Sequence, residues 1–325
     1  MQVFVTGVAG FIGSHVAAAL LKRGHGVTGI DSLNAYYDPA LKQARLGRLK
    51  GHDGFRFVQA DIADAAALAR AAGDGSYDVI VHLAAQAGVR YALTDPYAYT
   101  QANLVGHHNI LELARHMKGL AHTIYASSSS VYGNDSVAPF SEEARADKPV
   151  SYYGATKRSG ELMAHSYAEL FGLKLTGLRF FTVYGEWGRP DMAYWLFTDA
   201  ILKGIPLKVF GQGLLRRDFT WVDDIVNAIL RMVETPFAME GQGAPHRIYN
   251  LGNSRPEEVL TLIRIIEQAT GKSAIIEYAT GPAGDVKETY ADVTRAARDF
   301  GFAPSTTLEE GIPRFVRWFR DYHRL

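Results

Sequence analysis

Tyr153-Gly-Ala-Thr-Lys157 sets a phenol and an ammonium four residues apart, which places them on one face of a helix, one turn from each other. A free tyrosine titrates near pH ~10 and is a poor base at neutrality. A cation held beside it stabilises the phenolate and lowers that value, which would make the phenol a usable general base. The chain has 17 tyrosines, so one such pair can arise by chance and its weight depends on its surroundings. Upstream lies YASSSSVYG, residues Tyr125 to Gly133, in which four serines follow an apolar run. Those hydroxyls are either a solvated loop or the polar lining of a site.

A second chemical feature opens the chain. The apolar run Val3–Thr6 leads into Gly7-Val-Ala-Gly10-Phe11-Ile12-Gly13, a GxxGxxG spacing that begins an amphipathic segment. Glycines there allow a sharp turn and close approach of a pyrophosphate, and a helix N-terminus supplies free N–H groups and positive dipole. A glycine triplet alone is weak, but its position between a strand and a helix meets the structural test for a dinucleotide loop. Asp31 follows 18 residues after Gly13, at the end of the next apolar run. A carboxylate there accepts from a ribose 2′-OH and repels a 2′-phosphate, which favours NAD over NADP. The nicotinamide cation of such a cofactor would join Lys157 in stabilising the Tyr153 phenolate.

The elements that must position these groups alternate along the first half. Val3–Thr6, Val27–Ile30, Phe55–Val58, Val79–Leu83, Thr123–Ala126 and Leu175–Phe180 read as strands. Helical patterns cover Phe11–Arg23, Ala63–Ala72, Pro96–Met117 and Tyr152–Phe171. Apolar strands without alternation, separated by helices, predict a parallel sheet covered on both faces. Right-handed crossovers make it doubly wound. After Phe180 the pattern turns irregular, with Gly- and Pro-rich turns between helices. The expected class is α/β: a doubly wound parallel (Rossmann) sheet over residues 1–180, with a smaller mixed α/β substrate domain over 181–325. Segments near 217–252, including Trp221–Glu234 and Arg247–Gly252, are expected to return to the large sheet.

Composition narrows the function. Lys plus Arg and Asp plus Glu number 34 each, so the electrostatic footprint of a nucleic-acid binder is missing. The absence of cysteine excludes disulfides, thiolate chemistry and Cys-based zinc sites. The opening MQVFVTG has neither the basic nor the apolar region of a signal peptide, and no apolar run approaches a membrane span. The expectation is a cytoplasmic protein with no membrane or nucleic-acid partner.

These residues together resemble the extended short-chain dehydrogenase/reductase superfamily. The likeness rests on GxxGxxG, Asp61-Ile62, His82-Leu-Ala-Ala85, the serine run before Val131-Tyr-Gly133, and Tyr153 with Lys157. The resemblance implies that Gly7, Gly10, Phe11, Ile12, Gly13, Asp31 and Asn34 hold NAD. It assigns Asp61 and Ile62 to the adenine, Ala84, Ala85 and Asn103 to the cradle, and Lys157 to the nicotinamide ribose. It also implies a nucleotide-sugar substrate and a homodimer. Sister enzymes that dehydrate their sugar carry an Asp-Glu pair at the matching strand end, and decarboxylases a glutamate. Here those positions are Ser129 and Ser130. A hydroxyl has no ionised form at neutral pH with which to drive elimination. Ser128 matches the hydroxyl that meets the sugar O4 beside the catalytic tyrosine, which leaves oxidation and re-reduction at C4.

Phe180 to Ala193, FFTVYGEWGRPDMA, bears on the sugar. A guanidinium such as Arg189 can take a carboxylate bidentately, and on chemistry alone a phosphate or a surface ion pair fits as well. This segment, DSLNAYYDPALKQARL, QAGVRY and RDFTWVDDI resemble the bacterial UDP-glucuronate 4-epimerase family. That likeness implies that Thr182 and Arg189 hold a sugar carboxylate and that Arg217 meets the diphosphate. Arg90 is a further substrate candidate or a structural ion-pair member. Neutral UDP-hexose or UDP-N-acetylhexosamine epimerisation, UDP-glucuronate decarboxylation and non-catalytic NAD binding stay open as alternatives. Pro282 and Ala283 in GPAGD stand where some family members carry a second phosphate-binding arginine, so that contact is not expected. His107-His108 reads as helix surface and packing without metal spacing, Phe315–Tyr322 as aromatic core or dimer packing, and Asp223-Asp224 as a helix cap.

Overall fold

The computed structural model describes residues 1–134, 136–237, 243–280 and 287–325. The first half alternates β1 (Gln2–Thr6), α1 (Phe11–Lys22), β2 (Gly26–Asp31), α2 (Pro39–Gly47), β3 (Phe55–Gln59), α3 (Ala65–Ala72) and β4 (Val79–His82). There follow α4 (Pro96–Tyr99), a π-helical segment Thr100–Gly106, α5 (His107–His116), β5 (His122–Ser128), α6 (Tyr152–Phe171) and β6 (Leu175–Phe180). Later elements are β7 (Thr182–Tyr184), α7 (Ala193–Lys203), β8 (Leu207–Phe210), β9 (Arg216–Trp221), α8 (Val222–Glu234) and β10 (His246–Leu251). The chain ends with β11 (Pro256–Glu258), α9 (Val259–Thr270), β12 (Ile276–Ala279), β13 (Glu288–Thr289), α10 (Thr294–Phe300) and α11 (Leu308–His323).

The main sheet has seven strands in the order β10-β6-β5-β4-β1-β2-β3. Every pairing from β6 to β3 is parallel. Val3, Phe4, Val5, Ile80 and Val81 are fully buried, as continuous apolar strands covered on both faces require. Strand order reverses between β1 and β4, and in such sheets ligands bind beyond the carboxyl ends of the strands at that point. Gly7, Asp31, Ala84 and Ser128 all stand at or just past those ends.

Several elements depart from the sequence reading. β5 runs on to Ser128, because Ser127 and Ser128 pair in register with Arg179 and Phe180 of β6. Half of the serine run is therefore sheet, and Ser129–Val131 continues as one 3-10 turn. The single helix expected over Pro96–Met117 is broken by the π-helical turn that carries Asn103. Such turns widen the helix locally and recur at functional sites. Helix α2 was not anticipated, although Asp38, which caps the amide of Ala40, and Pro39 at its first position are helix-start residues.

The chain divides into two compact units: residues 1–133, 145–180 and 226–249, and residues 134–144, 181–225 and 250–325. The partition differs in detail from one boundary at 180. Residues 134–144 join the second unit, where Asn250 donates to the Phe140 carbonyl at 2.7 Å and Glu142 accepts from the Asn250 amide at 2.7 Å. The returning segment is 226–249. Residues 217–221 lie in β9, which pairs with β7, β11 and β13 in the second unit. In that unit Phe315 and Phe319 are fully buried, and Trp318 stacks on Tyr322 and packs at a tilt against Trp187 and Trp195. Asp223 and Asp224 sit inside the first turn of α8 rather than at its cap. Asp223 accepts from the Trp221 indole at 3.0 Å.

Candidate active site

The loop after β1 has no room for a side chain at its glycines. Gly7 has φ +70°, and a β-carbon there would lie 2.7 Å from the Ala84 amide nitrogen. A β-carbon at Gly13 would lie 2.1 Å from the Gly7 carbonyl oxygen. Helix α1 begins at Phe11 and Ile12 with no side-chain cap, so its first-turn amides are left for an anion. Asp31 ends β2 buried, with Oδ2 accepting from the Ala9 amide at 3.1 Å and Oδ1 from Leu33 at 2.8 Å. Burial pushes its pKa up, against the pull of the Leu33 amide, Lys42, the Ala9 amide and Arg45. Backbone-lined turn, uncapped helix and buried carboxylate fit a dinucleotide at its pyrophosphate and ribose.

The remaining residues expected to hold the cofactor divide by environment. Asn34 accepts from Lys42 Nζ through both Oδ1 and its carbonyl, at 2.7 and 2.8 Å. Asp61 is exposed, and its Oδ1 accepts from the Ala63 amide at 2.9 Å. The Ile62 side chain packs in the core with Phe4, Ile30 and Leu68, and its carbonyl accepts from Asn109. Ala84 donates to Thr6 Oγ1 at 3.0 Å, and Ala85 is half-buried beside it. Asn103 serves the protein itself: its Oδ1 accepts from the Gln86 amide, and its Nδ2 donates to the Gln86 carbonyl and to Thr156 Oγ1. It ties the loop after β4 to α6, directly below Tyr153, whose carbonyl accepts from Thr156 Oγ1 at 2.8 Å.

Helix α6 begins where Ser151 caps the Gly154 amide, which puts Tyr153 and Lys157 in its first two turns. Tyr153 is half-buried, edge-on to the Tyr99 ring at 6.0 Å. Lys157 is buried, and its Nζ donates to the Ala126 carbonyl of β5 at 2.9 Å. Burial pushes its pKa down to about 8, opposed by the charge of Glu161. Ser128 is buried at the end of β5, its Oγ accepting from the Ser130 amide at 3.1 Å. Ser129 and Ser130 are half-buried in the turn that follows. The turn presses on α6, since a β-carbon at Gly154 would lie 2.3 Å from the Ser130 carbonyl oxygen. The serines thus line the same corner as the Tyr–Lys pair.

Arg90, in the same unit, is exposed at the head of a short 3-10 turn. Thr182, Arg189 and Arg217 belong to the second unit. Thr182 opens β7 and is half-buried. Arg189 holds Asp191 in a two-pronged ion pair, Nε to Oδ1 at 3.0 Å and Nη2 to Oδ2 at 2.5 Å. Its guanidinium is therefore already presented in the geometry that takes a carboxylate. Arg217 Nη1 donates to the Arg216 carbonyl at 2.9 Å. GPAGD lies outside the described residues.

Sequence reasoning missed several participants. Lys42 and Arg45 of α2 are buried and brace the Asp31 end of the cradle, where Arg45 donates to the Ala9 carbonyl at 3.1 Å. Asp38-Pro39 could have announced their helix. His107 is no surface residue: it is buried, stacked on His82 at 5.3 Å, and burial holds its pKa down to about 3. Glu161 follows Lys157 by one more turn of α6, so its spacing was visible, but its partners were not.

Comparison with known proteins places this geometry. Residues 3–252 match the model of the NAD dependent epimerase/dehydratase family. UDP-glucuronate 4-epimerase 4 of Arabidopsis thaliana is 45% identical over 99% of this chain and 76% of that protein. The crystal structure of UDP-glucuronic acid 4-epimerase from Bacillus cereus, in complex with UDP-glucuronic acid and NAD, superposes with TM-score 0.90 and 34% identity, covering 99% of this chain and 100% of that one. UDP-glucose 4-epimerase from Thermotoga maritima, with UDP-glucose, superposes with TM-score 0.87 and 31% identity at the same coverage of 99% and 100%.

Proposed function

The chain belongs to the NAD dependent epimerase/dehydratase family, and on that premise we propose that it interconverts UDP-glucuronate and UDP-galacturonate by epimerisation at C4. The observation that carries this reading is the end of β5, where Ser128, Ser129 and Ser130 stand against the Tyr153–Lys157 helix with no carboxylate among them. A site built this way can move a proton on and off a hydroxyl but lacks the acid–base pair that elimination requires.

NAD, when bound in the glycine cradle, supplies the acceptor and donor for the C4 hydride and is regenerated in each turnover. Tyr153 removes the proton of the 4-OH, which Ser128 orients, while the Lys157 ammonium stabilises the phenolate. C4 loses its hydride and becomes a ketone. The 4-keto sugar turns about its diphosphate anchor, held by Arg217, and offers its other face. Hydride and the Tyr153 proton return, giving the C4 epimer. A 4-keto uronic acid is a β-keto acid and loses CO₂ when its carboxylate bond aligns with the carbonyl π system. Arg189 and Thr182 hold the carboxylate out of that alignment, and Arg90 contacts the nucleotide sugar. We place the protein in the cytoplasm as a homodimer. Exposed Leu162, Leu170 and Phe171 on α6 support pairing with a second copy. Among the described residues no helix is long and apolar enough to cross a membrane.

The rival is a neutral-sugar 4-epimerase, favoured by the likeness to the Thermotoga enzyme. One experiment separates the readings: purified protein is incubated with UDP-glucuronate, without added NAD, and the products are read by NMR. UDP-galacturonate is expected. A UDP-pentose with CO₂ would mean decarboxylation, and unchanged substrate would leave neutral sugars or simple NAD binding.

A further inference from the structure

Tyr153, Lys157 and Glu161 follow one another at four-residue intervals along α6, and the third is a carboxylate in the protein interior. Glu161 is 1% exposed and its main partner Arg179 3%. Its Oε1 accepts from Ser127 Oγ at 2.6 Å and from Arg179 Nε at 2.8 Å. Its Oε2 accepts from Arg179 Nη2 at 2.9 Å and from Arg158 Nη1 at 2.9 Å. Ser127 and Arg179 are themselves cross-strand partners in β5 and β6. One carboxylate therefore joins α6 to two adjacent strands, at the residue preceding Ser128.

Burying an ion pair gives little net stability over apolar residues of similar volume, because both charges must leave water. What it supplies is direction. Three charge-assisted bonds at fixed angles, from Ser127 and Arg179, cross to the strands and set both the rotation and the height of α6 against the end of β5, while the fourth, from Arg158, holds the carboxylate from α6 itself. We propose that Glu161 is a positioning residue for the proton transfer: it locks the helix carrying Tyr153 and Lys157 to the strand end carrying Ser128, and keeps a negative charge beside the Lys157 ammonium. This rests on the Tyr–Lys chemistry proposed above but not on the identity of the sugar.

The surroundings of Glu161 define what removing its charge would do. On α6 it faces Lys157 and Arg158, the latter also 3.7 Å from Asp147. From β6 comes Arg179, lying over the Tyr132 ring at 4.7 Å. From β5 come Ser127 and Tyr125, whose hydroxyl is hydrogen-bonded to His246 of β10 at 2.7 Å. The His246 ring in turn packs against that of His165 of α6, their centroids 5.7 Å apart. Burial holds His246 down to about 4 and pushes Tyr125 up, so neither titrates near neutrality. Two guanidiniums and one ammonium thus share this carboxylate. Neutralising it leaves their charges unbalanced and disfavours the cationic form of Lys157.

The test compares Glu161→Gln, Glu161→Asp and Ser127→Ala with wild type, reading kcat and KM against pH with UDP-glucuronate. If wild type does not turn that sugar over, UDP-glucose takes its place, so failure of the sugar assignment leaves this test standing. E161Q should lose about tenfold in kcat with KM little changed, and its high-pH limb should move to lower pH. S127A and E161D keep the charge, so each should lower kcat with the limb unmoved. Hydrogen–deuterium exchange, which needs no turnover, should quicken across Ala126–Tyr132 in all three. A folded E161Q with wild-type kcat and an unmoved limb overturns the proposal, as does an equal limb shift in S127A. Should E161Q fail to fold, an E161D of wild-type kcat and exchange overturns it.

Discussion

The backbone of Gly154 lies so close to Ser130 that a β-carbon on the glycine would sit 2.3 Å from the serine carbonyl oxygen. This contact sets the serine turn against the helix residue that follows Tyr153. Gly154→Ala would force the turn and the helix apart, at a cost of about 1–3 kcal/mol as for other overpacked sites. The expected outcome is a lower Tm together with a fall in kcat, because the Ser128 hydroxyl and the Tyr153 phenol would separate. Thermal unfolding and steady-state kinetics check both.

Tyr153→Phe removes the proposed proton carrier while leaving the ring that packs against Tyr99. The loss in kcat should be about 10²–10⁴-fold, the usual contribution of a positioned acid–base group. NAD content of the purified variant, read by absorbance after denaturation, should match wild type.

Burial brings Lys157 down to about 8, so its cation is present at neutral pH and is lost as pH rises through that value. Turnover should therefore fall on the alkaline side near pH 8. Lys157→Met should remove that limb and leave about a hundredth of the activity or less. A pH–rate profile of each protein decides the point.

Arg189 holds Asp191 bidentately, a pairing that a substrate carboxylate would replace. Hydrogen bonds to charged groups are worth about 1.5–3 kcal/mol, so Arg189→Ala should raise KM for UDP-glucuronate about ten- to hundredfold or increase CO₂ release. KM for UDP-glucose should hardly change. An unaltered affinity and product ratio would remove Arg189 from the uronate site.

Gly13→Ala would place a methyl group 2.1 Å from the Gly7 carbonyl oxygen, inside the turn proposed to cradle the pyrophosphate. The variant should purify without NAD and regain little when NAD is added, as measured by cofactor fluorescence on reduction. Stability without cofactor should fall as well, since the turn itself must open.

Local periodicity made much of this protein legible. Apolar runs such as Val3–Thr6 and Val79–Leu83 announce strands, because a strand covered on both faces has no polar alternation to confuse it. The glycine spacing, Asp31, and the four-residue interval from Tyr153 to Lys157 are short-range patterns whose chemistry follows from residue type. So is the absence of acids at Ser129 and Ser130. Those features pointed to a dinucleotide fold and a phenol–ammonium pair before any contact was known, and the family resemblance added that Ser129 and Ser130 stand where eliminating relatives carry acids.

What tertiary structure decided lies wherever a charge needs a distant partner. Glu161 reads in sequence as one more polar helix residue. Only the register of β5 with β6 puts Ser127 and Arg179 side by side to receive it. His107 looked like surface, yet α5 turns it into the core against His82, where desolvation keeps it neutral. Lys42 and Arg45 bring their charges close enough to act on Asp31 through a helix announced only by its cap. Residue type sets what a group can do. Which charges are dry, and which neighbours answer them, follows from chain segments far apart in sequence, and no local pattern encodes that distance.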